Sequence, residues 1–500
     1  MHRRSFIKNC GAISLVVWVE NKGLMSGLPA PQKSTLEEVF SEPPAAALPQ
    51  VFWFWMNGHV TKEGITLDLE AMKKAGIGGL YNYDSGISIP QGPIRYYSPE
   101  WIGLKQHAVN EAKRLGLDYV MHNCPGWSSS GGPWITPEMA MQQITSSEMV
   151  VEGGTQIAKQ LPLPFHKLGY YRDVAVVAFP SQEGEIDLQN YAARTNSGPV
   201  NREAVSGENP AGVMVLPASE TEDAWLLFEF VNAAEVRFLT FLISAVPGAK
   251  PQALNVRTSV VLEASDNGIE FVNIAAIGTG LEAELAAGDK FITYDIKPTK
   301  AKFFRLRSPQ ARRYSQVRFS GIDRLKNFME KTGNRFLFSG EETSPLYQDY
   351  PQQSPSAINS RQVLDLTDHV NSDGFLQWAA PPGKWTIMRF GLTPTGAINK
   401  AAPENGSGLE CDKFSKAAVD YHFQKTMEKL SPVLRQISLS GKVGLSIDSY
   451  EAGPQTWTEK FPGEFQQRCG YSVLPYLPAL TGRMVDSAEH TERFLWDVRK

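Results

Sequence analysis

The loop Asp448-Ser-Tyr-Glu451 follows a short run of apolar and small residues, Val443 to Ile447, and carries two carboxylates. A carboxyl at the mouth of a buried strand, beside Tyr450 and Trp457, is partly stripped of water, which raises its pKa. An acid so shifted stays protonated near neutral pH, as general-acid catalysis requires, and Glu451 is therefore the candidate catalytic residue. The same local sequence also suits a surface glutamate that merely opens a loop. Glu410 and Asp412, in Gly408-Leu-Glu-Cys-Asp-Lys413, form a second acidic cluster just ahead of a helix. They could cap that helix, bind a divalent cation with Glu451 or Asp448, or hold sugar hydroxyls; hard cations prefer such oxygen ligands. Capping is the simplest role for Asp412. Other chemistries lack their residues. There is no Walker loop, no GxGxxG after a strand, no GxSxG elbow and no HExxH. Ser128 to Gly132 lacks the Lys and Thr of a phosphate cradle, and His122 has no Cys or His partner at metal spacing.

The elements that would position these groups follow a strand–helix rhythm. Val51 to Met56 is a continuous apolar run of strand length. A helix is expected from Thr61 to Ala75, with Ile65, Leu69 and Met72 on one stripe, and Ile77 to Tyr83 reads as another buried strand. Ser98-Pro99-Glu100 is an N-cap, a first-turn proline and an acidic first turn. It opens a helix with the stripe Trp101, Leu104, Ala108, Ala112 and Leu115, and Tyr119-Val-Met121 begins the next strand. After Thr145 short strands and Gly/Asn/Asp/Pro turns take over, with no convincing helix up to about Leu325. Helical spacing returns at Ser415 to Leu434 (Val419, Phe423, Met427, Leu430, Leu434), followed by a short buried strand, Lys442 to Ile447. This is α/β plus all-β: a (β/α) barrel interrupted by inserted β-sandwich material. Ligands in such sheets bind at the carboxyl ends of the strands. Those ends carry Trp55, Asn57 and His59; Asn82, Tyr83 and Asp84; His122, Asn123 and Trp127; and Asp448 with Glu451, all suited to a polyol. The expectation is that Asp84, Asn123 and Glu451 converge on one cavity.

Composition narrows the class. The 49 Lys+Arg against 53 Asp+Glu give −4, which argues against a nucleic-acid partner. Mean hydropathy is −0.26, and no apolar run of about 20 residues follows the N-terminus. The start His2-Arg-Arg-Ser-Phe-Ile-Lys8, ahead of an apolar stretch from Cys10 to Val19, reads as a twin-arginine export signal, placing the mature chain in the periplasm or at the cell surface. Cys124, Cys411 and Cys469 are too widely spaced for a disulfide framework or a metal knuckle.

The chain resembles the bacterial α-L-rhamnosidases of glycoside hydrolase family 106. The likeness is carried by Trp53-Phe-Trp-Met-Asn57 with Leu67 to Gly79, by Asn123-Cys-Pro-Gly-Trp-Ser-Ser-Ser-Gly-Gly-Pro-Trp134, by Gly408 to Ser415, and by Asp448 to Trp457 with Arg468 to Arg483. The resemblance implies an inverting exo-hydrolase that releases terminal α-L-rhamnose from plant polysaccharides or glycosides, with calcium in the sugar subsite. The family's fourth-strand glutamate falls on Glu451, and its general base lies beyond this chain. The expected organisation is a signal at 1–30, a linker at 31–49, the first part of the barrel at 50–148 and a galactose-binding-like sandwich at 149–328. A second β-rich insertion follows at 329–398, and the barrel resumes at 399–500, incomplete. Such a half-barrel, alone, is expected to hydrolyse little. The alternatives are a barrel glycosidase for a different deoxysugar and a non-catalytic carbohydrate-binding protein.

Overall fold

The computed structural model describes residues 36–500 except 183, 185–190, 207–211, 218–221, 249–255, 327, 334–355 and 438–442. The signal-like segment, the first part of the linker and Lys442 lie outside the described residues, as does the side chain of Leu434. The fold is mixed α/β in two compact units. One holds the chain up to Gln143 with His166–Tyr171 and Leu392–Lys460; the other holds Ile144–Phe165, Arg172–Gly391 and Phe461–Lys500.

The first unit is built on four parallel strands, β1 (Gln50–Met56), β2 (Gly79–Ser85), β3 (Asp118–His122) and β4 (Val443–Ser446), in that spatial order. Helix α1 (Lys62–Lys74) starts where the Thr61 hydroxyl accepts from the Gly64 amide. Helix α2 (Pro99–Leu115) starts on Ser98, whose hydroxyl accepts from the Trp101 amide, and stops at left-handed Gly116. Helix α3 (Lys416–Ile437) follows Ser415. Because strand side chains alternate, one face of the sheet buries Trp53, Trp55, Leu80, Tyr119 and Met121 with Leu69, Trp101, Leu104, Ala108, Leu430 and Val433. The opposite face stays open: Phe52, Phe54 and Met56 are exposed. Although Val51 to Met56 is an unbroken apolar run, its side chains alternate between a buried and an exposed face. The four strands form an open sheet; among the described residues no closed barrel is present.

The stripe expected of α3 also shifts. Val419 and Phe423 are exposed, and Ala418, His422, Thr426, Leu430 and Val433 are buried. The inward face thus includes two polar residues, which a search for apolar spacing passes over.

In the second unit, an eight-stranded sheet, antiparallel in the pairings described, is organised by two long strands, Ala224–Ala245 and Lys290–Ser308. Leu226, Phe228 and Phe230 enter its core from the first half of Ala224–Ala245; Leu239, Phe241 and Ile243 enter from the second. The change of parity falls where the register with Lys290–Ser308 shifts, between Val236 and Phe238. Short helices at Arg202–Ser206 and Glu282–Ala287 interrupt a stretch in which none was expected. Gln156–Gln160 pairs with Phe375–Ala379, and Leu364–Asp365, Arg172–Pro180, Lys384–Pro394 and Gln142–Glu152 form another sheet in that order. Hydrogen bonding therefore joins strands on the two sides of the boundary drawn at 328/329. Residues 461–500 are helical and belong to this unit rather than to the parallel-sheet unit.

Candidate active site

The open face of the parallel sheet ends in a polar cluster. The Tyr83 hydroxyl, at the end of β2, donates to Asp448 Oδ2 at 3.3 Å, and its ring stacks on His122 at 4.4 Å. Burial pushes the Tyr83 phenol up to about 12, reinforced by the Asp448 charge and opposed by Ser446, so it stays a proton donor. His122 Nε2 faces the Ser128 carbonyl at 2.8 Å and must carry the ring proton, leaving Nδ1 a buried acceptor with no hydrogen-bond partner. Burial pulls His122 down to about 4, against the opposing pull of the Ser128 carbonyl and of Asp448 and Asp84.

The loop after β3 and the 408–413 segment are interlocked. Gly408 packs so tightly on Gly132 that a Cβ would lie 2.1 Å from its carbonyl. The serines of Ser128-Ser-Ser130 serve this scaffold. The Ser129 carbonyl accepts from Asn123 Nδ2 at 2.7 Å, and the Ser130 hydroxyl donates to Glu410 Oε2 at 2.9 Å. Lys413 donates to the same Glu410 oxygen at 2.6 Å, with its ammonium 5.1 Å from the centre of the Tyr450 ring. Glu410 is fully buried, and its Oε1, like Asn123 Oδ1 and Trp127 Nε1, has no partner. On α3, Trp134 Nε1 donates to His422 Nδ1 at 3.3 Å; since an indole only donates, the His422 proton sits on Nε2, which is buried and unpartnered.

Asp412 is buried and engaged throughout. One oxygen accepts from the Phe414 amide at 2.9 Å and from Gln455 Nε2; the other accepts from the Thr458 hydroxyl at 2.8 Å. Glu451 and Tyr450 are exposed and only Trp457 is buried, so the partial desolvation expected of the Glu451 carboxyl is not met, and Glu451 makes no hydrogen bond among the described residues. The side chain of Asp84 lies on the helix-facing side of the sheet. It accepts from Trp101 Nε1 at 2.8 Å and pairs with the buried Lys105 at 2.7 Å. Lys105 also donates to Asn82 Oδ1 and lies 4.0 Å from the centre of the Trp55 ring. Tyr83, His122 and Asp448 thus meet, as do Glu410, Ser130 and Lys413. No described contact links Glu451 with Asp84 or Asn123. Lys105, Ser130, Lys413, His422, Gln455 and Thr458 were not singled out by the sequence. Lys105 had a signal, since it stands four residues after Trp101 on the apolar stripe of α2.

Acidic residues do not gather into a cation cage. Among the described residues no group of three or more His, Cys, Asp or Glu stands close enough to hold a metal. Glu410 is already faced by an ammonium.

The first unit is thus an open parallel sheet with polar strand ends and two carboxylates, Asp448 and Glu451, on one loop. Residues 41–500 match the family model described as alpha-L-rhamnosidase, and the chain belongs to glycoside hydrolase family 106. It is similar to the solved rhamnosidase from Novosphingobium sp. PP1Y, with 30% identity and a TM-score of 0.72 over 93% of this chain and 44% of that one. It is also 31% identical over 472 residues to a protein of Formosa agariphila named putative beta-glucuronidase, covering 94% of this chain and 28% of that protein. The chain therefore spans less than half the length of either. No helix among the described residues is long and apolar enough to cross a membrane.

Proposed function

We propose that this chain supplies the general-acid side of a glycosidase that releases terminal α-L-rhamnose from plant polysaccharides or glycosides with inversion. The match of residues 41–500 to the α-L-rhamnosidase family carries this reading. Glu451 is the acid on the strength of the family resemblance, whose fourth-strand glutamate falls on it; it stands exposed on the loop after β4 and makes no hydrogen bond among the described residues. Inversion needs a base roughly 6.5–9.5 Å from the acid with water between, and we assign that role to no residue of this chain. Asn123, Trp127, Tyr83 and Asp448 hold the sugar, because a polyol offers the donors and acceptors their unused atoms need. Calcium, which the resemblance implies, would compete at Glu410 with the Lys413 ammonium and at Asp412 with three hydrogen bonds from the protein. We further assign the eight-stranded sheet to a galactose-binding-like brace inserted in a (β/α) barrel, and residues 1–30 to export.

A different sugar is the second reading, favoured by the name of the Formosa relative. Turnover of 4-nitrophenyl α-L-rhamnoside, β-D-glucuronide and α-L-fucoside by the whole protein carrying this chain separates the two. The rhamnoside should be cleaved, and Glu451→Gln should slow cleavage of an alkyl α-L-rhamnoside, whose alkoxide must be protonated to leave, about 10²–10⁴-fold. Cleavage of the glucuronide alone overturns the proposal.

A further inference from the structure

Both oxygens of Asp412 already accept hydrogen bonds from the protein. A carboxylate offers about four lone-pair sites; here the Phe414 amide, the Gln455 side chain and the Thr458 hydroxyl take three, in a side chain that is only 4% exposed. Gln455 also accepts from the Lys413 amide at 3.2 Å, and the Thr456 and Trp457 amides both donate to the Gln142 carbonyl at 3.4 Å. The far arm of the 448–458 loop is thereby pinned to residues 412–413 and 142. The near arm is held by Tyr83 on Asp448. Between the two, Ser449 (φ 70°) and Gly453 (φ 82°) turn the backbone through left-handed conformations, and Glu451 makes no hydrogen bond among the described residues.

We infer that Asp412 is a positioning residue: by clamping Gln455 and Thr458 it holds the loop that places Glu451, and it does not touch the sugar. This rests on the reading of Glu451 as the acid.

Hydrogen exchange on the full chain tests the clamp without any turnover. In Asp412→Ala the amides of 449–458 should exchange about tenfold faster or more, while those of α2 stay within about twofold. Thr458→Val, which removes one of the three bonds, should give a smaller increase. If Asp412→Ala does not fold, Gln455→Ala carries the same expectation. Unchanged loop exchange in a folded variant overturns the inference. The role is tested in the whole protein carrying this chain, with two rhamnosides of contrasting leaving groups, since a 2,4-dinitrophenolate needs little protonation and an alkoxide needs much. Asp412→Ala should lower kcat on the alkyl rhamnoside about tenfold more than on the dinitrophenyl one, with KM within about twofold. A raised KM with kcat held marks a sugar-binding residue and overturns the inference. Glu451→Gln on the same pair judges the acid separately: equal losses on both substrates would reject Glu451 as the acid, and the exchange result would still decide the clamp.

Discussion

His122 and His422 are buried neutral, each drawn down to about 4 by desolvation; Lys413 and His122 add to the effect at His422. Because the fold binds these protons more weakly than the unfolded chain, their stabilisation is complete above about pH 6.5. It is lost as pH falls towards 4, by at most about 3 kcal/mol per ring. Urea unfolding at a series of pH values between 7.5 and 4.5 should show that decline. His422→Phe should flatten the slope even if it lowers stability at neutral pH by stranding the Trp134 indole. An unchanged slope would mean that His422 takes up a proton inside the fold.

At the scale of elements, α2 is tied to the sheet by a charge. Lys105 reaches Asp84 and Asn82 between the rings of Trp55 and Trp101, and Asn82 in turn accepts from the Tyr119 hydroxyl at 2.8 Å. Removing one partner of a buried pair leaves the other unpaired, so Lys105→Met should cost about 3–5 kcal/mol in denaturant unfolding. Lys105→Met with Asp84→Asn should recover much of it. A single variant within about 1 kcal/mol of the parent would show that water already reaches the pair. This network also explains what was legible. The Ser98 cap and the apolar stripes of α1 and α2 were readable because local residues dictate them. Asp84 looked like a ligand because strand-end position says nothing about which face a side chain takes, and only pairing with β1 and β3 settles that. The pairing of residues 142–180 with 364–394 was not readable either. It depends on contacts across about 200 residues, and local periodicity carries no record of them.

At the scale of the molecule, the parallel-sheet unit leaves Phe52, Phe54 and Met56 exposed beside Tyr83 and His122, so its polar strand ends border an apolar surface. Sugars match that mixture, offering hydroxyls at their edges and C–H groups on their faces. The central claim is that this surface and Glu451 act on an α-L-rhamnoside with inversion. The most direct measurement is the ¹H NMR signal of the sugar first released from an alkyl α-L-rhamnoside by the whole protein carrying this chain. β-L-Rhamnose should appear first and then mutarotate, with release suppressed in Glu451→Gln. The α anomer appearing first, or full release by Glu451→Gln, would contradict it.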